Sequence, residues 1–284
     1  MDRMIRALAC ACAWLACAVA MAEDAGARRI VSLAPNLTEL AFAAGAGPRL
    51  VGVSEYSDHP QAARRIARIG DAFRIDYERV LGLRPDLVLA WESGTPVESI
   101  ERLRALGLRV AVIRADSLAG VGDALTQVGR EAGTLAAANA ARARYEARRA
   151  ALARQYAGRR RLSVFIEIGD QPLYTVSGRH LISEMVSTCG GDNVFAALPS
   201  LAPPVDVEAV VARDPQVILI ADGTAAAARA AWALWPGLTA VRQGTVLEVP
   251  ADLVARATPR ALDGLAAVCA ALDSARARLG AGRG

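Results

Sequence analysis

The chain has 284 residues, of which 54% are hydrophobic and 22% charged, and its formal net charge is +4. This composition is typical of a folded globular protein with one or two domains and excludes disordered and fibrous classes. The 33 basic residues, all arginine, exceed the 29 acidic residues by too little to indicate nucleic-acid binding. With two histidines, His59 and His180, the sequence also argues against most zinc and non-haem iron enzymes.

The N-terminus has the pattern of a secretory signal. Two arginines precede an apolar run over 7–22, whose last three residues form a small-x-small cleavage site. A transmembrane anchor is the alternative, but about 16 apolar residues fall short of the roughly 20 that a bilayer requires. We therefore predict a signal peptide over 1–22 and export of a mature chain that begins near Glu23.

Removal of the leader changes the cysteine count. Cys10, Cys12 and Cys17 lie in the leader, so Cys189 and Cys269 are the two cysteines of the mature chain. Disulfides persist in the compartments that receive exported proteins. The simplest interpretation is a disulfide between these two residues, and the alternative is two buried free thiols.

Short apolar segments alternate with helical stretches through the first half of the mature chain. We predict strands over 29–34, 50–54, 87–91 and 110–113, and helices over 37–44, 76–83 and 97–106 with a further one from Ser117. Asn36 or Thr38 is expected to cap the first helix, and Gly45 to end it. This alternation is typical of a parallel sheet covered by helices and defines a first lobe over 28–127.

A long helix is predicted between two such series. Residues 134–157 contain no proline or glycine and are rich in alanine and arginine, which favour helix. Such a helix would reach about 33 Å. A second series follows, with strands over 162–168 and 217–221 and helices over 180–188, 207–213, 225–234 and 258–279. We therefore predict an α/β protein of two Rossmann-like lobes with parallel sheets, in which a connecting helix over 128–159 joins the first lobe to a second over 160–284.

The two lobes contain an internal repeat. Residues 78–90 match residues 208–221, and in both segments a glutamate, Glu78 or Glu208, lies seven residues before a proline. Each segment predicts a short helix, a proline stop and a buried strand. The helix dipole alone can explain an acidic residue in the first turn. The alternative is that two exposed carboxylates at equivalent points form matched docking points for a two-fold partner.

Sequence signatures of common enzymes are absent. The chain has no Gly-x-Ser-x-Gly motif, no phosphate-binding loop with lysine and no His-Glu-x-x-His motif. Two lobes create a cleft, which is the usual location of a small-molecule site. The sequence therefore favours a secreted protein that captures a ligand over an enzyme.

Five motifs resemble a known family. They occupy residues 30–40, 51–60, 84–91, 189–195 and 257–260, in the family's order and across almost the whole mature chain. On these motifs the sequence resembles the periplasmic substrate-binding proteins of ABC importers for cobalamin, haem and ferric siderophores, and most closely the cobalamin-binding members. The resemblance implies a class III periplasmic binding protein fold and a monomer in the periplasm. It implies no catalytic residue, no protein metal site and no cofactor, with cobalamin as the transported ligand.

The resemblance also implies ligand-contacting residues in the first lobe. Tyr56 and Trp91 match aromatic side chains that face the bound corrinoid. Phe73 is the candidate replacement for a further tryptophan of the family's cleft. Aromatic faces suit the apolar surface of a flat macrocycle.

In the second lobe, the implied contacts are Tyr174, at the position of a cleft aromatic, and Asp252 and Arg256, in a loop that touches the ligand. Asp252 and Arg256 are four residues apart, so pairing with each other on a helical turn is the alternative. Ala202 occupies the position of a cleft tryptophan in the cobalamin-binding members.

Partners follow from the same resemblance. Glu78 and Glu208 match two glutamates that face arginines of the permease dimer in the inner membrane, whose ATPase subunits drive release. Cys189 and Cys269 match the disulfide of the cobalamin-binding members. Two alternatives keep the fold and change the ligand: haem, with Tyr56 as the axial phenolate, or a ferric siderophore recognised by several arginines.

Overall fold

The structure, a computed structural model, describes residues 26–71, 73–223 and 225–281. The predicted signal peptide over 1–22 lies outside these residues. The strands of the first lobe are β1 (Ile30–Ser32), β2 (Leu50–Val53), β3 (Ala67–Arg68), β4 (Leu87–Trp91) and β5 (Val110–Ile113). They form a five-stranded parallel sheet in the order β3-β2-β1-β4-β5. Its helices are α1 (Pro35–Ala43), α2 (Tyr77–Gly82), α3 (Val97–Ala105) and α4 (Leu118–Ala132).

The central strands of this sheet are buried on both faces. Every residue of β1 and the first four residues of β4 are buried. Continuous apolar runs of this kind are typical of parallel strands that helices cover on both sides. This is why the sequence predicts these strands well.

The first helix begins earlier than predicted. It starts at Pro35, a residue type favoured at the first helical position, after Ala34 as the N-cap. The prediction that Asn36 or Thr38 caps this helix is therefore wrong. Thr38 instead lies within the helix, and its side chain is buried. Its hydroxyl donates a hydrogen bond to Ser32 Oγ over 2.9 Å.

The long helix is α5 (Leu135–Tyr156), with 22 residues. Gly133, in the left-handed conformation at φ 70°, ends α4, so residues 128–132 belong to that helix. The Tyr145 hydroxyl donates to the Leu118 carbonyl of the first lobe over 2.8 Å. Arg148 pairs with Asp263 of the second lobe over 2.6 Å. The long helix therefore contacts both lobes.

The strands of the second lobe are β6 (Leu162–Glu167), β7 (Gly169–Asp170), β8 (Leu173–Tyr174), β9 (Gly191–Asn193), β10 (Val217–Ile220) and β11 (Val246–Glu248). They form a four-stranded parallel sheet in the order β11-β10-β6-β9 and a small antiparallel hairpin, β7-β8. Its helices are α6 (Leu181–Thr188), α7 (Val207–Arg213), α8 (Ala225–Trp232), α9 (Thr239–Arg242), α10 (Ala251–Val254) and α11 (Ala261–Ala281). Two parallel sheets joined by a long helix confirm the predicted fold class.

The two lobes share buried apolar contacts. One cluster of buried side chains includes Leu37 of the first lobe, Tyr145 of α5 and Leu262 of the second lobe. A disulfide between Cys189 and Cys269 ties the end of α6 to α11, which confirms the predicted pair. None of the helices in the described ranges is long and apolar enough to cross a membrane.

A buried carboxyl group lies at the end of β6. Glu167 is 1% exposed and accepts a hydrogen bond from Trp232 Nε1 over 2.6 Å. Burial raises the pKa of Glu167 to about 7, and the charges of Asp222 and Asp170 act in the same direction. The group therefore stays protonated in the folded protein over a range where it ionises in the unfolded chain.

Replacement of Glu167 by glutamine tests this pKa. The raised pKa means that the wild type loses stability as pH rises from about 4.5 to about 7. The loss is at most roughly 3–4 kcal/mol. Glu167→Gln retains an acceptor for Trp232, so we expect its unfolding free energy to lack this decrease. Urea unfolding between pH 4.5 and pH 8 measures both proteins, and identical pH profiles would contradict the prediction.

Candidate functional site

A cavity of about 570 Å³ lies between the two lobes, and we call it the cleft. Its lining from the first lobe includes Trp91, at the carboxyl end of β4, and the segment after β5. Its lining from the second lobe includes the segment before α6 and residues after α10. Ligands of open parallel sheets bind outside the carboxyl ends of the strands, and the volume suits a small-molecule site.

Trp91 is held in the cleft by the turn that follows β4. Its backbone N–H donates to Thr95 Oγ1 over 2.9 Å. Its ring packs against Gly94, where an added Cβ would lie 2.0 Å from a ring carbon. The indole Nε1 is buried and has no hydrogen-bond partner within the described part of the chain. The glycine turn therefore fixes a large aromatic side chain that has an unused donor.

The first-lobe side of the cleft also carries a cluster of charges. Arg114 donates to Asp116 over 2.8 Å and lies 3.5 Å from Glu92. The hydrogen bond to Asp116 and the two carboxylate charges raise the pKa of Arg114. Arg114 offsets one of the two carboxylate charges, so this side of the cleft carries polar groups and a small negative charge.

The other predicted aromatics lie outside the residues that line this cavity. Tyr56 is 73% exposed and Phe73 is 87% exposed. Tyr56 has a φ of 62°, which is uncommon for a residue with a side chain and recurs at functional sites. Tyr174 is 36% exposed and forms an isolated bridge with Pro204, close in sequence to Ala202. The structure therefore brings Trp91 to the cleft lining and leaves Tyr56, Phe73 and Tyr174 open to solvent.

Arg256 contacts carboxylates of both lobes. Its guanidinium lies 3.6 Å from Asp252 on the same lobe, as in the alternative predicted for this pair. It also lies 3.4 Å from Asp58 and 3.9 Å from Glu39, both in the first lobe. Arg256 therefore links the predicted ligand-contacting loop to the opposite lobe.

A second arginine completes this contact between the lobes. Arg260 donates to both carboxylate oxygens of Glu39, over 2.7 and 2.8 Å. The Glu39 side chain is 4% exposed, and its hydrogen bond raises the pKa of Arg260. Neither Glu39 nor Arg260 has a role predicted from the sequence. The available signal was a charged residue on the apolar helix α1, within one of the family motifs.

Glu78 and Glu208 occupy equivalent places in the two lobes. Each lies exposed in the first turn of a short helix, two residues before a buried valine, Val80 or Val210. Neither glutamate forms an ion pair with any residue that the structure describes. The internal repeat thus presents two unpaired carboxylates.

No group of three or more His, Cys, Asp or Glu side chains is placed to hold a metal ion within residues 26–71, 73–223 and 225–281.

The sequence and the fold are similar to those of known proteins. The sequence pattern of the family described as "Periplasmic binding protein" matches residues 30–253. The chain is 34% identical over 274 residues to the vitamin B12-binding protein of Vibrio cholerae serotype O1, covering 96% of this chain and 99% of that protein. It superposes on the crystal structure of the periplasmic vitamin B12 binding protein BtuF of Vibrio cholerae with a TM-score of 0.82 and 35% identity, over 88% of this chain and 98% of that one.

A haem-binding protein is also similar. The periplasmic heme-binding protein RhuT from Roseiflexus sp. RS-1, in apo form, gives a TM-score of 0.77 at 26% identity and covers 88% of this chain and 99% of that one. The two-lobed α/β fold, the cleft between the lobes and the match over 30–253 lead to one conclusion. The chain belongs to the periplasmic binding protein family.

Proposed function

We propose that this protein captures cobalamin or a related corrinoid in the cleft and delivers it to the permease of an ABC importer. The observation that carries the proposal is the identity of 34% with a vitamin B12-binding protein over 99% of that protein's length. In this proposal the protein has no catalytic step and no cofactor. It acts as a monomer that presents a loaded cleft to the permease dimer and its ATPase subunits.

The chemistry of the cleft supports this ligand class. A corrinoid is a flat macrocycle fringed by amides, so it needs apolar faces and a few polar partners. Trp91 supplies a ring fixed by Gly94, and Arg114, Glu92 and Asp116 supply polar groups at its side. The exposed Tyr56 and Tyr174 are candidates to cover the ligand from each lobe.

Haem is the second candidate ligand. The similarity to RhuT favours it, as does Tyr56, whose side chain is 73% exposed at a strained backbone position. A tyrosine phenolate is a known axial ligand of haem iron. In this alternative Tyr56 would bind the metal directly, which a corrinoid does not require.

Gly94→Ala tests the role of the Trp91 ring. An added Cβ would lie 2.0 Å from the ring, so the indole must move. We expect cobalamin affinity to fall by about 0.5–1.5 kcal/mol, as for Trp91→Ala, because the stacking surface is lost or displaced. Titration by isothermal calorimetry measures the affinity. Gly237→Ala is the matched control, since no atom lies within 4 Å of its added Cβ, and equal affinity of both variants and wild type would contradict the prediction.

Glu78 and Glu208 are proposed to dock the loaded protein on the permease. The double variant Glu78→Ala/Glu208→Ala should bind cobalamin like the wild type and lose uptake into whole cells, because exposed carboxylates orient the partners without touching the ligand. Glu98→Ala is the control, since Glu98 is also an exposed glutamate in the first turn of a short helix. Normal uptake by the double variant would contradict the docking role and leave the helix dipole as the explanation for both glutamates.

We also propose that residues 1–22 are a cleaved signal peptide that directs the protein to the periplasm. The membership of a periplasmic family supports this localisation. Mass spectrometry of the exported protein should find an N-terminus near Glu23. An intact N-terminus at Met1 in the exported fraction would contradict cleavage.

A further inference from the structure

The second-lobe side of the cleft carries a histidine that the proposed function does not use. His180 lines the cavity beside Arg179 and Leu181, and first-lobe residues that include Trp91 line the same cavity. His180 directly precedes α6 and is half-buried. Arg179 donates to the Pro199 carbonyl, so its guanidinium already has an acceptor within its own lobe.

The hydrogen bonding of the ring fixes the position of its proton. Nδ1 accepts a hydrogen bond from the backbone N–H of Ile182 over 3.2 Å. A proton on Nδ1 would point at this N–H, so Nδ1 stays bare and the neutral ring carries its proton on Nε2. Burial lowers the pKa of His180, which also favours the neutral ring. The hydrogen bonds among the residues that the structure describes include none from Nε2.

Helix capping does not explain why this residue is histidine. Serine, threonine, asparagine and aspartate are the preferred N-cap residues, and each could accept from Ile182. Histidine differs from them because its ring places a second polar atom farther from the helix end. At position 180 that ring lines the cleft.

We propose that His180 is a specificity-determining residue whose Nε2–H donates a hydrogen bond to an acceptor oxygen of the ligand, such as a side-chain amide carbonyl of a corrinoid. The assignment rests on the proposed function and names one polar contact within it. Because Nε2 carries the proton, it has no lone pair to offer a metal. His180 therefore recognises the edge of the macrocycle and does not coordinate its metal.

The test compares wild type, His180→Ser and His180→Ala with aquocobalamin as the probe. Serine keeps an acceptor for the end of α6 but is too short to extend into the cleft, whereas alanine removes both groups. We expect His180→Ser to keep the wild-type melting temperature and to raise the dissociation constant roughly 3- to 10-fold, the effect of one neutral hydrogen bond. His180→Ala should lose affinity to the same extent and also melt at a lower temperature.

Visible spectroscopy distinguishes donation from coordination. The axial water of aquocobalamin is replaceable, so a histidine bound to cobalt would shift the spectrum of the wild-type complex and not that of the His180→Ser complex. We expect the two spectra to coincide. Wild-type affinity in His180→Ser, or a spectral shift seen only with wild type, overturns this assignment alone. Absence of aquocobalamin binding by the wild type overturns the proposed function and the assignment with it.

Discussion

Replacement of Arg260 by methionine is expected to lower the free energy of unfolding by about 3 kcal/mol. The change leaves the Glu39 carboxylate, with 4% of its side chain exposed, without its bidentate partner. Removing one member of a buried ion pair costs about 3–5 kcal/mol because the remaining charge is uncompensated. We expect the lower end of this range, since Arg256 remains 3.9 Å from Glu39. Urea unfolding at pH 7 measures the loss.

Two further variants distinguish the loss of the ion pair from the loss of the arginine side chain itself. The double variant Glu39→Gln/Arg260→Met has no unpaired buried charge and should be more stable than Arg260→Met alone. Arg104→Met is the control, because Arg104 and Glu101 form an exposed pair whose loss should cost less than about 1 kcal/mol. If Arg260→Met is no more destabilised than Arg104→Met, the ion pair between Glu39 and Arg260 does not add the expected free energy of unfolding.

Loss of the disulfide between Cys189 and Cys269 is expected to have the second large effect. The crosslink closes a loop with a sequence separation of 80 residues. The chain-entropy relation gives about 4.5 kcal/mol for a loop of this length, because the crosslink restricts the unfolded chain. Cys189→Ala/Cys269→Ala should therefore lose roughly this much unfolding free energy in urea.

Reduction of the wild type supplies the matched comparison for this variant. Wild type unfolded with a thiol reductant present should approach the stability of the double variant, while the double variant should not respond to the reductant. A difference below about 1 kcal/mol between oxidised wild type and the double variant would contradict the entropic account.

The sequence predicts those elements whose residues carry a local signal. The strands β1, β4, β6 and β10 are apolar runs, and α5 is a long segment without proline or glycine. Local signals fail for β7, β8 and β9, which have two or three residues each; β7 and β9 also contain glycine and aspartate. Such short strands form because neighbouring strands supply hydrogen bonds, and periodicity over so few residues indicates little.

Fewer features of the candidate site than of the fold can be predicted from local sequence patterns. Trp91 could be assigned from a motif at a strand end, and the structure places it in the cleft lining. The pair formed by Glu39 and Arg260 joins residues 221 positions apart, and the single-residue patterns around them do not specify each other. The role proposed for His180 likewise depends on two features of the folded chain: its hydrogen bond with Ile182 and its position in the cleft lining. Contacts made between lobes depend on the assembled fold, so local patterns do not reveal them.

We propose that the cleft binds a corrinoid, and the visible absorption of a retained ligand tests this proposal. Purified protein over residues 23–284 is mixed separately with cobalamin and with haemin, desalted, and examined by visible spectroscopy. We expect corrinoid absorption to elute with the protein at one ligand per chain. A retained Soret band without corrinoid would contradict the claim and make Tyr56 the candidate iron ligand, and colour from neither ligand would contradict both candidates.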